Sequence, residues 1–161
     1  LPMAIPADMN SMLISMVLAV VLVTLCVLVH SEVLRLASKM LPSLTIRPRN
    51  RILFIMAAAF FAHTIEIWIF GIAYWLSAQH LAIGGLIGQA TGGFPEFIYF
   101  STVSYTSLGL GDLYPTGAFR LLTGVEALVG LTMIAWTGSF TYLSMQKFWD
   151  LHGPKKPRKT D

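Results

Sequence analysis

The sequence predicts an all-α membrane protein in which three helices span the bilayer and a short fourth helix re-enters it. Of the 161 residues, 55% are hydrophobic and only 12% are charged, whereas a soluble domain carries about 25% charged residues. The apolar residues form three runs, each long enough to cross about 30 Å of hydrocarbon. A Gly-rich stretch and a short helical pattern lie between the second and third runs.

The three runs cover about Met9 to Val29, Ile52 to Leu76 and Leu121 to Met145. Only helices and closed β-barrels cross lipid, because every backbone polar group there must be satisfied internally. None of the runs alternates as a barrel strand does. We therefore expect three transmembrane helices.

The basic residues predict the topology. Apart from Arg120, all Lys and Arg residues lie either between the first two runs or after the third: Arg35, Lys39, Arg47, Arg49, Arg51, Lys147, Lys155, Lys156, Arg158 and Lys159. Such residues mark cytoplasmic segments. We expect a multi-pass protein of the cell (plasma or inner) membrane with its N-terminus outside and its C-terminus in the cytoplasm. The expected partners are anionic lipids at the cytoplasmic face, not nucleic acid.

The segment between the second and third runs predicts a re-entrant loop that enters from outside. Residues 79–93 are Gly-rich and predict an irregular loop. Pro95 suits the first position of a helix, and Glu96 suits the positive end of its dipole. The helix is too short to span a membrane, and a Gly-containing segment and a turn at Tyr114-Pro115 follow it.

Gly109 and Gly111 indicate an ion filter. A dinucleotide loop is excluded because the third glycine is missing and the motif follows a helix. An ion needs oxygen atoms in place of its hydration shell, and backbone carbonyls serve when they point to one side. Glycine at alternate positions allows this, because glycine adopts positive φ at little cost. We expect a monovalent cation at Ser107, Leu108, Gly109 and Leu110, with the Ser107 hydroxyl at the inner end.

This segment resembles the pore domain of potassium channels, whose pattern is Thr-Val-Gly-Tyr-Gly-Asp. The matching residues are Thr106, Ser107, Leu108, Gly109, Leu110, Gly111 and Asp112, and the similarity extends to Arg120 and to Gly130 at the family's hinge glycine. The resemblance covers roughly residues 51–149. It implies a homotetramer that conducts monovalent cations, potassium above all, with no cofactor except bound ions and no enzymatic activity.

The whole chain is similar to small bacterial members of that family with an extra helix before the two-helix pore unit. We divide it into an N-terminal helix and cytoplasmic linker (1–50), a pore domain with a re-entrant loop (51–149) and a basic cytoplasmic tail (150–161). Ser107 replaces the usual Thr, Leu110 replaces Tyr or Phe, and Tyr99 and Phe100 stand where many relatives have a Trp pair. A non-selective or sodium-permeable channel of the same fold is the alternative.

The family pattern also assigns residues to the pore lining. Counting helical turns from Gly130 places Ile134, Gly138 and Tyr142 toward the axis. Tyr142 is the bulkiest near the cytoplasmic end, so we expect it to narrow the closed pore. Packing of Tyr142 at a helix interface is the alternative.

Two ionisable residues, His63 and Glu66, lie near the middle of the second run on one helix face. Such groups are costly in a membrane. They predict either pH-sensitive gating or a permanently bonded pair that also reaches a neighbouring helix. A metal site would require His30, Glu32 or Glu126 to converge with them. An intramembrane metal-dependent enzyme or a proton-coupled carrier is therefore a further alternative.

The remaining ionisable residues of the runs predict structural roles. Glu126 is expected to lie behind the filter or at a subunit contact. His30, Glu32 and Arg35 are expected to form an interfacial helix end. No run carries basic residues at every third position, so a voltage sensor is not expected.

Overall fold

A computed structural model describes residues 8–43, 48–88 and 93–152. Within these ranges the chain forms four α-helices, two short strands and one 3₁₀ turn. The elements in chain order are α1 (Met9–Met40), the 3₁₀ turn (Leu41–Ser43), α2 (Pro48–His80), β1 (Leu86–Gly88), α3 (Phe94–Tyr105), β2 (Leu113–Pro115) and α4 (Phe119–His152).

Three of these helices are long and apolar enough to cross a membrane: Met9–Met40, Asn50–His80 and Phe119–Gln146. The fold is therefore that of an all-α membrane protein, as predicted. α1 continues well beyond Val29, so the expected interfacial helix end is wrong for His30, which is completely buried. Partners on α2 and α4 explain its burial, as described below.

The segment after α2 is more regular than predicted. α2 extends to His80, and β1 pairs antiparallel with β2, so that Leu86 faces Pro115 and Gly88 faces Leu113. The expected turn at Tyr114-Pro115 is therefore part of a strand. This two-stranded sheet pairs the residues that follow the segment 107–111 with the residues that follow α2. Residues 89–92 of the predicted loop lie outside the described ranges.

The core lies where α3 packs between α2 and α4, while α1 packs against α2 and α4. Large aromatic side chains fill it, among them Phe70, Tyr74 and Phe119. Glycine permits one especially close approach: a Cβ at Gly130 of α4 would lie 1.9 Å from the carbonyl oxygen of Tyr105. The C-terminal end of α3 therefore rests directly on the backbone of α4.

Candidate ion filter and its supports

The re-entrant helix α3 begins and ends as the sequence predicts. Gly93 is its N-cap, Pro95 lies at its start and Glu96 in its first turn. At its C-terminal end the backbone N–H groups of Thr106, Ser107 and Leu108 still donate to carbonyls of the last turns, with N···O distances of 3.2, 2.9 and 3.0 Å. The segment that follows is thus anchored to the helix end.

The backbone after α3 alternates in handedness. φ is +57° at Ser107, +56° at Gly109 and +76° at Gly111. Positive φ at both glycines agrees with the prediction, whereas positive φ at Ser107 was not foreseen. The sign of φ therefore alternates along the segment, with a positive value at every second residue from Ser107 to Gly111.

The side chains of Leu108 and Leu110, which lie between the residues with positive φ, are mostly exposed in a single chain. Leu108 is 63% exposed and Leu110 is 59% exposed. A cavity of about 380 Å³ lies beside the segment, bordered on the α3 side by Tyr99, Phe100 and Val103. A single chain therefore leaves both the apolar side chains and the backbone of the segment open.

Asp112, at the end of the segment, is held by two hydrogen bonds. The Tyr99 hydroxyl donates to its Oδ2 at 2.7 Å, and the backbone N–H of Leu113 donates to its Oδ1 at 3.1 Å. The bond to Asp112 raises the pKa of Tyr99. A phenol is protonated at neutral pH even without such a shift, so it acts as the donor. This bond links α3 to the residue that follows Gly111.

Glu126 lies against α2 and α3, and its predicted position behind the filter or at a subunit contact stays a prediction. It is completely buried and accepts hydrogen bonds from Tyr74 of α2, at 2.8 Å, and from Ser101 of α3. The Ser101 hydroxyl also lies 2.8 Å from the carbonyl oxygen of Ile67. Glu126 thus joins three helices, which agrees with a structural role.

His63 and Glu66 belong to a larger buried cluster. The closest histidine to Glu66 is His30 of α1, with Nδ1 2.9 Å from Oε1, while His63 Nδ1 lies 3.4 Å from Oε2. Tyr105 of α3 donates to Oε2 of Glu66, and Thr137 of α4 contacts both histidines.

Among the residues proposed to converge with His63 and Glu66, only His30 does so within the described ranges. Glu32 instead pairs with Arg35 on the exposed side of α1. Sequence reasoning missed Tyr105 and Thr137, because nothing in the chain signals contacts over separations of 39 and 107 residues. That His63 and Glu66 sense pH stays a prediction.

The residues assigned to the pore lining lie along one length of α4. Gly130 is buried against Tyr105, which gives a packing reason for glycine in addition to the expected hinge. Ile134, Gly138 and Tyr142 are exposed and border a cavity of about 520 Å³ between α4 and α2. Their roles in the pore and gate stay predictions.

Comparison with known families gives a match over more than half of the chain. Residues 51–146 match a family model described as "Ion channel". The matched region contains α3, the segment with alternating φ, both strands and most of α2 and α4. A search of curated proteins and a search of solved structures returned no match.

Proposed function

The chain belongs to this ion channel family, with a potassium-channel-type pore domain at residues 51–146, and we propose that it is one subunit of a homotetramer that conducts potassium ions passively. The filter consists of the carbonyl groups from Ser107 to Gly111, with the Ser107 hydroxyl at its inner end. No cofactor takes part, and the monovalent cations themselves are the bound ligands.

The alternation of φ from Ser107 to Gly111 carries this proposal. Positive φ costs an L-residue about 1–2 kcal/mol, so a segment with three such positions must gain free energy or function from this conformation. Glycine removes that cost at two of the three positions. The gain we infer is a row of carbonyl oxygens that replaces the hydration shell of an ion.

The position of α3 supports a cation as the permeant ion. Its C-terminal end, Tyr105, lies two residues before Ser107. The C-terminal end of a helix dipole carries partial negative charge. An ion at the inner end of the segment therefore meets a negative potential, which favours cations over anions.

The exposure of the segment supports a tetramer. One loop supplies one wall of a pore, and a closed ring of identical walls follows from rotational symmetry. Neighbouring subunits would bury the exposed Leu108 and Leu110. This burial is favourable because it removes large apolar side chains from water. Four copies correspond to the arrangement that the resemblance implies.

The bond between Tyr99 and Asp112 supports a filter of defined width and therefore potassium over sodium. The alternative is a non-selective or sodium-permeable channel, which Leu110 favours because it lacks the polar ring of Tyr. The placement of basic residues supports an outside N-terminus, a cytoplasmic C-terminus, a cell membrane location and contacts with anionic lipids.

Planar-bilayer recording of the purified protein tests this function. We expect unitary current steps whose reversal potential follows the potassium gradient when sodium replaces potassium on one side, and a cross-linked species of four subunits. If the reversal potential does not change when sodium replaces potassium, the channel is non-selective. Metal-dependent turnover or proton-coupled uptake without unitary steps would instead favour an enzyme or a carrier built on His63 and Glu66.

A further inference from the structure

Four potential ligand atoms converge at one buried point between the helices. His30 and Glu66 have no exposed surface, and their contact joins Nδ1 to Oε1 at 2.9 Å. His63 Nδ1 lies 2.9 Å from the Tyr105 hydroxyl and 3.4 Å from Glu66 Oε2, and the Tyr105 hydroxyl donates to that same carboxylate oxygen. Ligand atoms of His30, His63 and Glu66 all lie within 4.8 Å of one another.

The other nitrogen of each imidazole faces a single hydroxyl. Thr137 Oγ1 lies 3.2 Å from His30 Nε2 and 3.1 Å from His63 Nε2. A threonine hydroxyl has one proton and two lone pairs. It can therefore accept from two N–H groups at once, but it can donate to only one unprotonated nitrogen.

The protons of this cluster do not suffice for its contacts. With Glu66 as a carboxylate, two neutral imidazoles, one phenol and one hydroxyl carry four protons, one each. The cluster has five contacts that each need a proton: His30 to Glu66, Tyr105 to Glu66, His63 to Tyr105, and Thr137 to both histidines. The arrangement therefore lacks one proton.

We propose that this point is a binding site for a divalent transition cation of the Zn²⁺ type. The ligands are Nδ1 of His30, Nδ1 of His63 and the carboxylate of Glu66, with the Tyr105 oxygen as the fourth. Imidazole and carboxylate suit Zn²⁺, whereas Mg²⁺ and Ca²⁺ prefer oxygen ligands throughout. The chain would bind the cation at this point whether or not it conducts potassium.

A bound cation resolves the shortage of protons. Each histidine that binds through Nδ1 carries its proton on Nε2, and Thr137 accepts both N–H groups with its two lone pairs. Outer hydrogen bonds of this kind orient metal-bound imidazoles and strengthen the site. Loss of the Tyr105 proton to water on binding makes the site electrically neutral, since the charges of Glu66 and the phenolate then balance that of the cation.

The site has a route of entry. His63 keeps 15% of its side chain exposed, and together with Thr137 it borders the 520 Å³ cavity between α2 and α4. This cavity is therefore the side from which a cation would approach the ligands. Occupancy would fix α1 and α2 to Tyr105, the last residue of α3, immediately before the proposed filter.

Metal analysis of the purified full-length chain tests the proposal. The protein is stripped with a chelator, equilibrated with Zn²⁺ and analysed for bound metal, and Co²⁺ is substituted as a spectroscopic probe. We expect one Zn²⁺ per subunit and the intense visible absorption of four-coordinate Co²⁺. His30→Gln and Glu66→Gln should lose this binding, and Thr137→Ala should weaken it about 10–100-fold.

Two matched variants control for indirect effects. Glu126→Gln changes a second buried carboxylate, and His80→Gln removes an exposed histidine at the end of α2; both should retain the binding and the Co²⁺ spectrum. If His30→Gln or Glu66→Gln fails to fold, the parent spectrum and the Thr137→Ala affinity decide. A parent without stoichiometric Zn²⁺ overturns the proposal and leaves a fifth proton, on an imidazole or on Glu66, to complete the contacts. Binding that survives in both ligand variants, or a six-coordinate Co²⁺ spectrum, overturns it as well.

Discussion

Tyr99 donates a hydrogen bond to Asp112, with 2.7 Å between the phenol oxygen and Oδ2, so the re-entrant helix holds the residue that ends the proposed filter. Tyr99 is 38% exposed, and a solvent-accessible bond to a carboxylate contributes less than a buried one. Loss of this bond should therefore change selectivity or gating without unfolding the chain.

Tyr99→Phe removes this bond and keeps the ring. We expect the dwell time in the conducting state to shorten about two- to tenfold, because one hydrogen bond between α3 and the end of the proposed filter is lost. Single-channel recording measures the dwell time in the conducting state and the ratio of potassium to sodium permeability. Tyr114→Phe, at an exposed tyrosine of β2, is the control. Equal dwell times and permeability ratios in the two variants would contradict a role for Tyr99 in holding the end of the filter.

Gly109→Ala should abolish potassium current while the tetramer still forms. Gly109 has φ of +56° and no described atom within 4 Å of an added Cβ, so the cost is conformational and not steric. An alanine there costs about 1–2 kcal/mol in each subunit. Gly124→Ala is the control, since this α4 glycine also has open space around it and has no positive φ. Normal current in assembled Gly109→Ala protein would rule out the proposed filter.

Gly130→Ala should destabilise the packing of α3 on α4. Its Cβ would lie 1.9 Å from the Tyr105 carbonyl oxygen, so the two helices must separate. Overpacking of this kind costs about 1–3 kcal/mol, which lowers the melting temperature by roughly 5 °C. Thermal unfolding in detergent measures the change. Gly138→Ala, on the same helix with open space, should melt at or slightly above the temperature of the parent, because alanine is the better helix former. Equal melting of both variants would contradict the inferred contact.

Tyr142→Ala should raise the open probability if Tyr142 narrows the closed pore. The side chain is 58% exposed in a single chain, and its hydroxyl accepts a hydrogen bond from Gln146 Nε2 at 2.8 Å. Open probability and access of a cytoplasmic blocker are the measurements. Leu143→Ala, at a neighbouring residue that is 63% exposed, is the control. If Tyr142→Ala changes neither quantity, the gate lies elsewhere.

The predicted topology can be tested by cysteine labelling. The native cysteine, Cys26, is completely buried and is replaced by Ser to give a clean background. Met9→Cys, beside the N-cap Asp8, should react with an impermeant reagent added outside, and Lys159→Cys should react only after the membrane is opened. Equal labelling of both sites from outside would refute the orientation that the basic residues predict.

Much of the architecture follows from local sequence. Runs of apolar residues specify helices because lipid offers no partner for backbone polar groups, and Pro95 and Glu96 mark the start of α3 because they suit the first helical turn. Gly109 and Gly111 predict positive φ because glycine lacks the Cβ that penalises it. Each of these inferences depends on residues close together in the chain.

Only the tertiary structure decided which distant residues meet. His30 contacts Glu66 across 36 residues and Thr137 across 107, and neither separation leaves a periodic signal. Hydropathy predicts that these helices enter the membrane but not which faces pack together. Those faces are selected by close fit, as at Gly130, and by the need of each buried polar group for a partner. For this reason the sequence predicted the elements of the proposed filter, and the packing of the helices revealed the buried cluster beside it.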